Sequence, residues 1–328
     1  MKQKMNCVRV NRSLCIFLVV FSIADSALAQ TQSTPPWAYP VLAPGYQVPP
    51  DDGIPKQVPG SKASFTLTQL RDVFTAYDWF PEEHPPMPEV VAHGRKPNVN
   101  ACGMCHLPNG RGRPENSSLA GLPVQYIIQH MADFKAGLRK SSEPAGRPAS
   151  LMVTTGKNAN DDEAKAAAEY FSSLKFKKWI RVVESDVAPK SQVVAGYMLA
   201  AIEGAGTEPI GMRIIEVPEN LSRTELRDPH SGFIAYAPKG SIKRGEQLVM
   251  SGGGTTTQCT ICHGLDLKGL GLVPSLAGRS PSYIVRQLYD FKNGARVGAN
   301  SALMMSVVAN LTIDDMIAIA AYTSSREP

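Results

Sequence analysis

Apolar side chains recur at helical spacing at Ile127, Ile128, Met131 and Phe134, and again at Ile284, Val285, Leu288 and Phe291. Gly137 and Gly294 close the two segments, so each predicts a helix of three turns or so. Two later helices are marked by their starts. Asn160 and Thr312 are polar caps with an acid three residues on, Glu163 and Asp315, and the helices they open carry Tyr170 and Tyr322. Upstream, Phe65, Leu67, Leu70, Val73, Phe74 and Tyr77 predict a short amphipathic helix with Ser64 as its cap, packed on the first of these units. Residues 179–184, 211–217 and 232–237 are short, β-branched or aromatic, and bounded by Pro and Gly, which predicts strands. Residues 193–203, between them, read as a short helix or a loop.

The paired patterns are a repeat. A shift of 157 residues lays Cys102 on Cys259, residues 118–121 on 275–278, Tyr126 on Tyr283, and Asp133-Phe134-Lys135 on Asp290-Phe291-Lys292. Five extra residues in the first copy then change the shift to 152, under which Leu151-Met152 meets Leu303-Met304 and Tyr170 meets Tyr322. The expected fold is mainly α: two domains in tandem, at 64–174 and 240–328, with a small β-containing insertion at 175–239.

The N-terminal region stands apart. Lys2, Lys4, Arg9 and Arg12 precede an apolar run over 14–23, and Ala27-Leu28-Ala29 makes a small-x-small cleavage site, so residues 1–29 read as a signal peptide cleaved after Ala29 and the chain as periplasmic. The alternative, an uncleaved anchor, has only ten apolar residues where a span needs about 20. Residues 30–63 form a Pro-rich leader, either docked through Trp37 and Tyr39 or free. Loss of the signal peptide's four basic residues and Asp25 takes the formal charge from +5 to +2, and no basic stripe of the kind nucleic acid requires remains. No later stretch has 18 consecutive apolar residues, so no transmembrane segment is expected in the mature chain.

Cysteine usage supplies the chemistry. Cys7 and Cys15 leave with the signal peptide, and the other four all lie in Cys102-Gly103-Met104-Cys105-His106 and Cys259-Thr260-Ile261-Cys262-His263. Each is a CxxCH pentapeptide, the attachment signature of c-type haem: thiols three apart share one face of a helical turn, and the next imidazole binds iron. His106 and His263 are the proximal ligands by position. A bare CxxC would also suit a redox disulfide or half of a four-cysteine zinc site.

This order of elements resembles a class I c-type cytochrome domain, and two copies in tandem resemble the soluble di-haem cytochromes c of bacteria. The resemblance covers residues 88–174 and 240–326. It implies two covalently attached haem c groups and, as sixth iron ligands, Met152 and Met304, the only methionines the two copies match. Met305, the rival to Met304, faces Val153 in the first copy, and Met131 reads as core. The resemblance also implies a hydrogen bond from His263 to the Pro274 carbonyl; Ser117 stands at that position in the first copy, so the surroundings of the two imidazoles, and with them the two potentials, are expected to differ. His/Met ligation saturates the iron, which implies one-electron carriage and no catalytic residues. The implied partners are redox proteins: a dehydrogenase or membrane respiratory complex as donor, an oxidase or another cytochrome as acceptor. Two alternatives stand beside the carrier: a di-haem enzyme of peroxidase or thiosulfate-oxidising type with one open iron, and a cytochrome subunit held tightly by a periplasmic dehydrogenase. His84, His93, His130 and His230 read as surface or core groups, with His130 kept as a candidate second imidazole. The cluster Lys175, Lys177, Lys178 and Arg181 reads as a partner patch or a solvated linker.

Overall fold

The computed structural model describes residues 34–328. The proposed signal peptide, its cleavage site, Cys7 and Cys15 lie outside the described residues. Twelve α-helices occur among those described: α1 (Leu67–Leu70), α2 (Glu89–Ala92), α3 (Cys102–His106), α4 (Val124–Lys135), α5 (Arg147–Asn158), α6 (Asp161–Ser173), α7 (Leu221–Glu225), α8 (Ser241–Ser251), α9 (Thr260–His263), α10 (Pro281–Lys292), α11 (Ser301–Val308) and α12 (Ile313–Ser325). The CxxCH turns are therefore α3 and α9, the middle helices α4 and α10, and the methionine-bearing segments α5 and α11.

The final helices begin as the sequence predicts. Asn160 Oδ1 accepts from the Glu163 amide and Thr312 Oγ1 from the Asp315 amide, and each acid returns a bond to the cap's own amide. Inside the first copy, α4 and α6 bury Ile127, Ala167, Ala168, Tyr170 and Phe171. In the second, Ile284, Val285, Leu288 and Phe291 of α10 meet Met316, Ile317 and Ala320 of α12. Gly245 lets α8 lie directly on α12, since a Cβ there would strike the Ala318 carbonyl. The first copy has no equal of α8. Pro85, Pro86 and Pro88 withhold amide donors, which leaves the single turn α2.

Two expectations change, and two others become definite. The amphipathic stretch at 65–77 is only the one-turn α1, capped by Thr66 and not by Ser64, because the Asp72 carboxylate accepts from the Phe74 amide and the Thr75 hydroxyl and turns the chain out of the helix. Residues 193–203 fall largely in a hairpin, as Ser191–Val194 pairs with Met198–Ala201. The insertion has seven strands: β1 (Ile180–Glu184), β2 (Val187–Pro189), β3 (Ser191–Val194), β4 (Met198–Ala201), β5 (Thr207–Pro209), β6 (Ile215–Pro218) and β7 (Phe233–Ala237). β7 lies between β1, which is parallel to it, and β6, which is antiparallel. Finally, the leader is docked: Ala38 and Tyr39 are buried in the second copy's core, and Tyr39 Oη donates to Asp290 Oδ1 at 2.7 Å.

The two copies meet across a pseudo-symmetric polar seam. Arg139 and Arg296, equivalent under the 157-residue shift, pair in one antiparallel bridge. Arg139 Nη2 donates to Tyr283 Oη and Gln287 Oε1 at 2.9 and 3.1 Å, while Arg296 Nη2 reaches Tyr126 Oη and His130 Nε2 at 3.2 and 2.9 Å. Burial, then the two guanidiniums, push His130 well below the ordinary histidine range, which keeps its ring neutral and able to accept.

Candidate functional site

α3 opens onto a cleft of about 1220 Å³, its open mouth included. Cys102, Cys105, His106 and Met152 all line it, so the four donor groups predicted for the first copy share one space. Its walls are apolar, with Val90, Val99, Leu119, Ile127, Ala167 and Phe171 among them. His106 Nδ1 lies 2.9 Å from the Ser117 carbonyl. A carbonyl only accepts, so the proton sits on Nδ1 and the lone pair remains on Nε2, as an iron ligand requires. Met131 also lines the cleft. His130 does not; it is turned to the seam.

The second copy repeats the imidazole's contact. His263 Nδ1 lies 2.8 Å from the Pro274 carbonyl, so serine or proline at this position serves equally, because the acceptor is backbone. This corrects the expected difference around the two imidazoles. Cys259, Met304 and Met305 pack against one core, and both methionines are half-buried there.

A matched pair of glycines shapes the loops that carry these carbonyls. Gly112 and Gly269 have φ of +67° and +89°, their amides donate to the His106 and His263 carbonyls, and a Cβ would fall 2.6 Å from the oxygens of Ser117 and Val273 respectively. Gly112→Ala and Gly269→Ala are each expected to cost more than about 1 kcal/mol, read as a lowered thermal midpoint. An unchanged midpoint in either variant would remove this role from its loop.

The thiols suit an apolar pocket. Burial pushes the Cys102 thiol up to about 12 and the Cys259 thiol up to about 11. Among the described residues, no three His, Cys, Asp or Glu side chains are placed to hold a metal ion, and the four cysteines are unpaired. Neutral thiols, an imidazole with its Nε2 free and an apolar wall fit a porphyrin.

Some cleft residues were not foreseen. Gly196 and Tyr197, at the β3–β4 turn, and Arg227, after α7, line the first cleft, so the insertion helps to form it. Arg113 and Glu115 join them as an ion pair at 2.5 Å. The available signal was the contrast between Arg113 and Glu115 in one copy and Leu270 and Leu272 in the other.

The family model described as Cytochrome c matches residues 91–175. The chain is 35% identical over 232 residues to a thiosulfate dehydrogenase electron acceptor of Stutzerimonas stutzeri, an alignment covering 70% of this chain and 80% of that protein. It is 27% identical over 227 residues to cytochrome c4 of Azotobacter vinelandii, covering 67% of this chain and 82% of the other. Among solved structures, reduced recombinant cytochrome c4 from Pseudomonas stutzeri aligns with a TM-score of 0.45 at 24% identity, over 69% of this chain and 93% of that one. With the doubled CxxCH module and the two sequence relatives together, the chain belongs to the c-type cytochromes, as a di-haem member built from two class I domains in tandem.

Proposed function

We propose that this cytochrome carries single electrons between redox proteins of the periplasm through two covalently attached haems. One would be held by Cys102, Cys105, His106 and Met152, the other by Cys259, Cys262, His263 and Met304. The observation that carries the reading is the convergence of Cys102, Cys105, His106 and Met152 on one apolar cleft, with His106 fixed in the ligating tautomer. The haem supplies the one-electron chemistry when bound. The chain's own contribution would be to hold the imidazoles through the Ser117 and Pro274 carbonyls, to keep water from the cleft and to offer the thioethers of Met152 and Met304, one in each copy. The names of the relatives add a partner class: the chain would accept electrons from a dehydrogenase acting on a small inorganic sulfur compound, as the Stutzerimonas stutzeri protein's name states for that protein.

The exported holoprotein is expected to gain the mass of two haems, to start at Gln30, and to show two low-spin hexacoordinate irons with the weak red absorption of a sulfur-to-iron bond. A polypeptide without that added mass would refute the reading. A high-spin component that responds to peroxide would instead favour the enzyme alternative.

A further inference from the structure

The two CxxCH loops align without a gap, yet they meet different surroundings. In the first copy, residues 106–114 are buried apart from a half-buried Asn109. In the second, the positions equivalent to Met104, Pro108, Arg113 and Glu115 are Ile261, Leu265, Leu270 and Leu272, with exposures of 57%, 82%, 63% and 64%.

The cover over the first loop comes mainly from residues 70–87 and from the insertion, which lie outside the repeat. Met104 packs with Ala76 and Ala101, flanked by Val73 and Met87. From the insertion, Arg227 donates to the Met104 and Leu70 carbonyls at 2.8 and 3.0 Å, and Arg113 donates to the Thr224 carbonyl. Further along the loop, Arg111 lies over the Trp179 ring at 5.0 Å. Arg113 and Arg227 line the first cleft together with Cys105, and Arg227 is bonded to the carbonyl of its neighbour Met104.

We infer that residues 70–104 and the insertion close the thioether edge of the first site, and that the second site, through the open edge formed by Ile261, Leu265, Leu270 and Leu272, is where this protein exchanges electrons with outside molecules. The first site is filled and emptied through its neighbour. This rests on the two-haem reading. Each exchange moves one electron between a one-electron redox partner and the second site, with no proton or leaving group. Glu115 offsets the charge of Arg113, so burial and the Arg227 guanidinium favour the less positive, reduced state of the first site, and its potential is the higher of the two.

The test uses the full holoprotein, after haem content shows two covalent haems per chain. Reduced protein is mixed with hexacyanoferrate(III), an anion, and separately with a cationic tris-phenanthroline cobalt(III) complex. Leu270→Glu/Leu272→Glu places two carboxylates on the exposed edge without touching the core. At low ionic strength both electrons are expected to leave about threefold or more slowly to the anion and faster to the cation. A variant in which one of the two electrons is lost at the unaltered rate to either oxidant overturns the inference, because the first site then exchanges directly. As a second readout, Arg227→Met is expected to lower one midpoint potential by about 59 mV, a tenfold change for a one-electron couple; movement of neither potential removes Arg227 from the argument for the ordering. Fewer than two haems would defeat the underlying reading instead.

Discussion

Met152→Ala is expected to halve the red sulfur-to-iron band and leave the other haem unaltered, and Met304→Ala to remove the other half. The reason is local: Met152 shares its cleft with His106, and α5 and α11 hold the two methionines at matched positions after α4 and α10. Alanine offers no lone pair, so the affected iron should take water or stay open and become high-spin. Its potential should fall, within the span of about 0.8 V that axial ligation controls. The measurement is absorption and EPR of the oxidised protein, with potentiometry of each haem. Full retention of the band in Met152→Ala would end Met152's assignment. In the second copy, retention in Met304→Ala together with loss in Met305→Ala would move the ligand by one residue.

Arg279→Ala should be the most destabilising change at the junction of the copies, by about 2–4 kcal/mol. Arg279 belongs to the second copy and is buried, yet its Nη1 and Nη2 donate to the Ser118 and Ala120 carbonyls of the first, at 2.7 and 3.3 Å. Its Nε binds the Ser275 carbonyl at 2.8 Å, and the guanidinium lies 4.6 Å over the Phe176 ring. Alanine would strand two buried carbonyls and empty the space above Phe176. Lysine, a point charge without the planar fork, should recover only part of the loss. Urea unfolding at constant m-value would measure it, and a cost below about 1 kcal/mol would show that water replaces the guanidinium. Because Ser118 follows Ser117, whose carbonyl holds His106, the same variant should also disturb the first haem's spectrum.

Much of this was legible from residue order. The caps Asn160 and Thr312, the glycines at 137 and 294, and the apolar stripes of α4 and α10 act within a few residues of themselves, so spacing reveals them. The haem-binding pentapeptides are equally local. What spacing did not reveal depends on distant partners. Tyr39 is fixed by Asp290, 251 residues away. Arg227 reaches Met104, and His130 meets Arg296, across 123 and 166 residues. The hairpin at 191–201 escaped because Ala195, Gly196 and Tyr197 at its turn lack the Asn-Gly or Asp-Gly pair that marks tight hairpins. The shortened helix at 67–70 escaped because Asp72, a residue that reads as neutral in an apolar stripe, folds the backbone onto its own side chain.

The docked leader has a practical consequence for anyone cutting this chain. Ala38 and Tyr39 fill the second half's core, and Arg286 Nη1 donates to the Ala38 carbonyl at 2.8 Å, while residues 73–104 pack on the first half. The proline-rich arm is thus a staple driven through one half before the chain begins the other. A truncation begun at residue 64 would pull that staple out, bare an oily slot beside Tyr289 and leave Asp290 without the phenol that holds it.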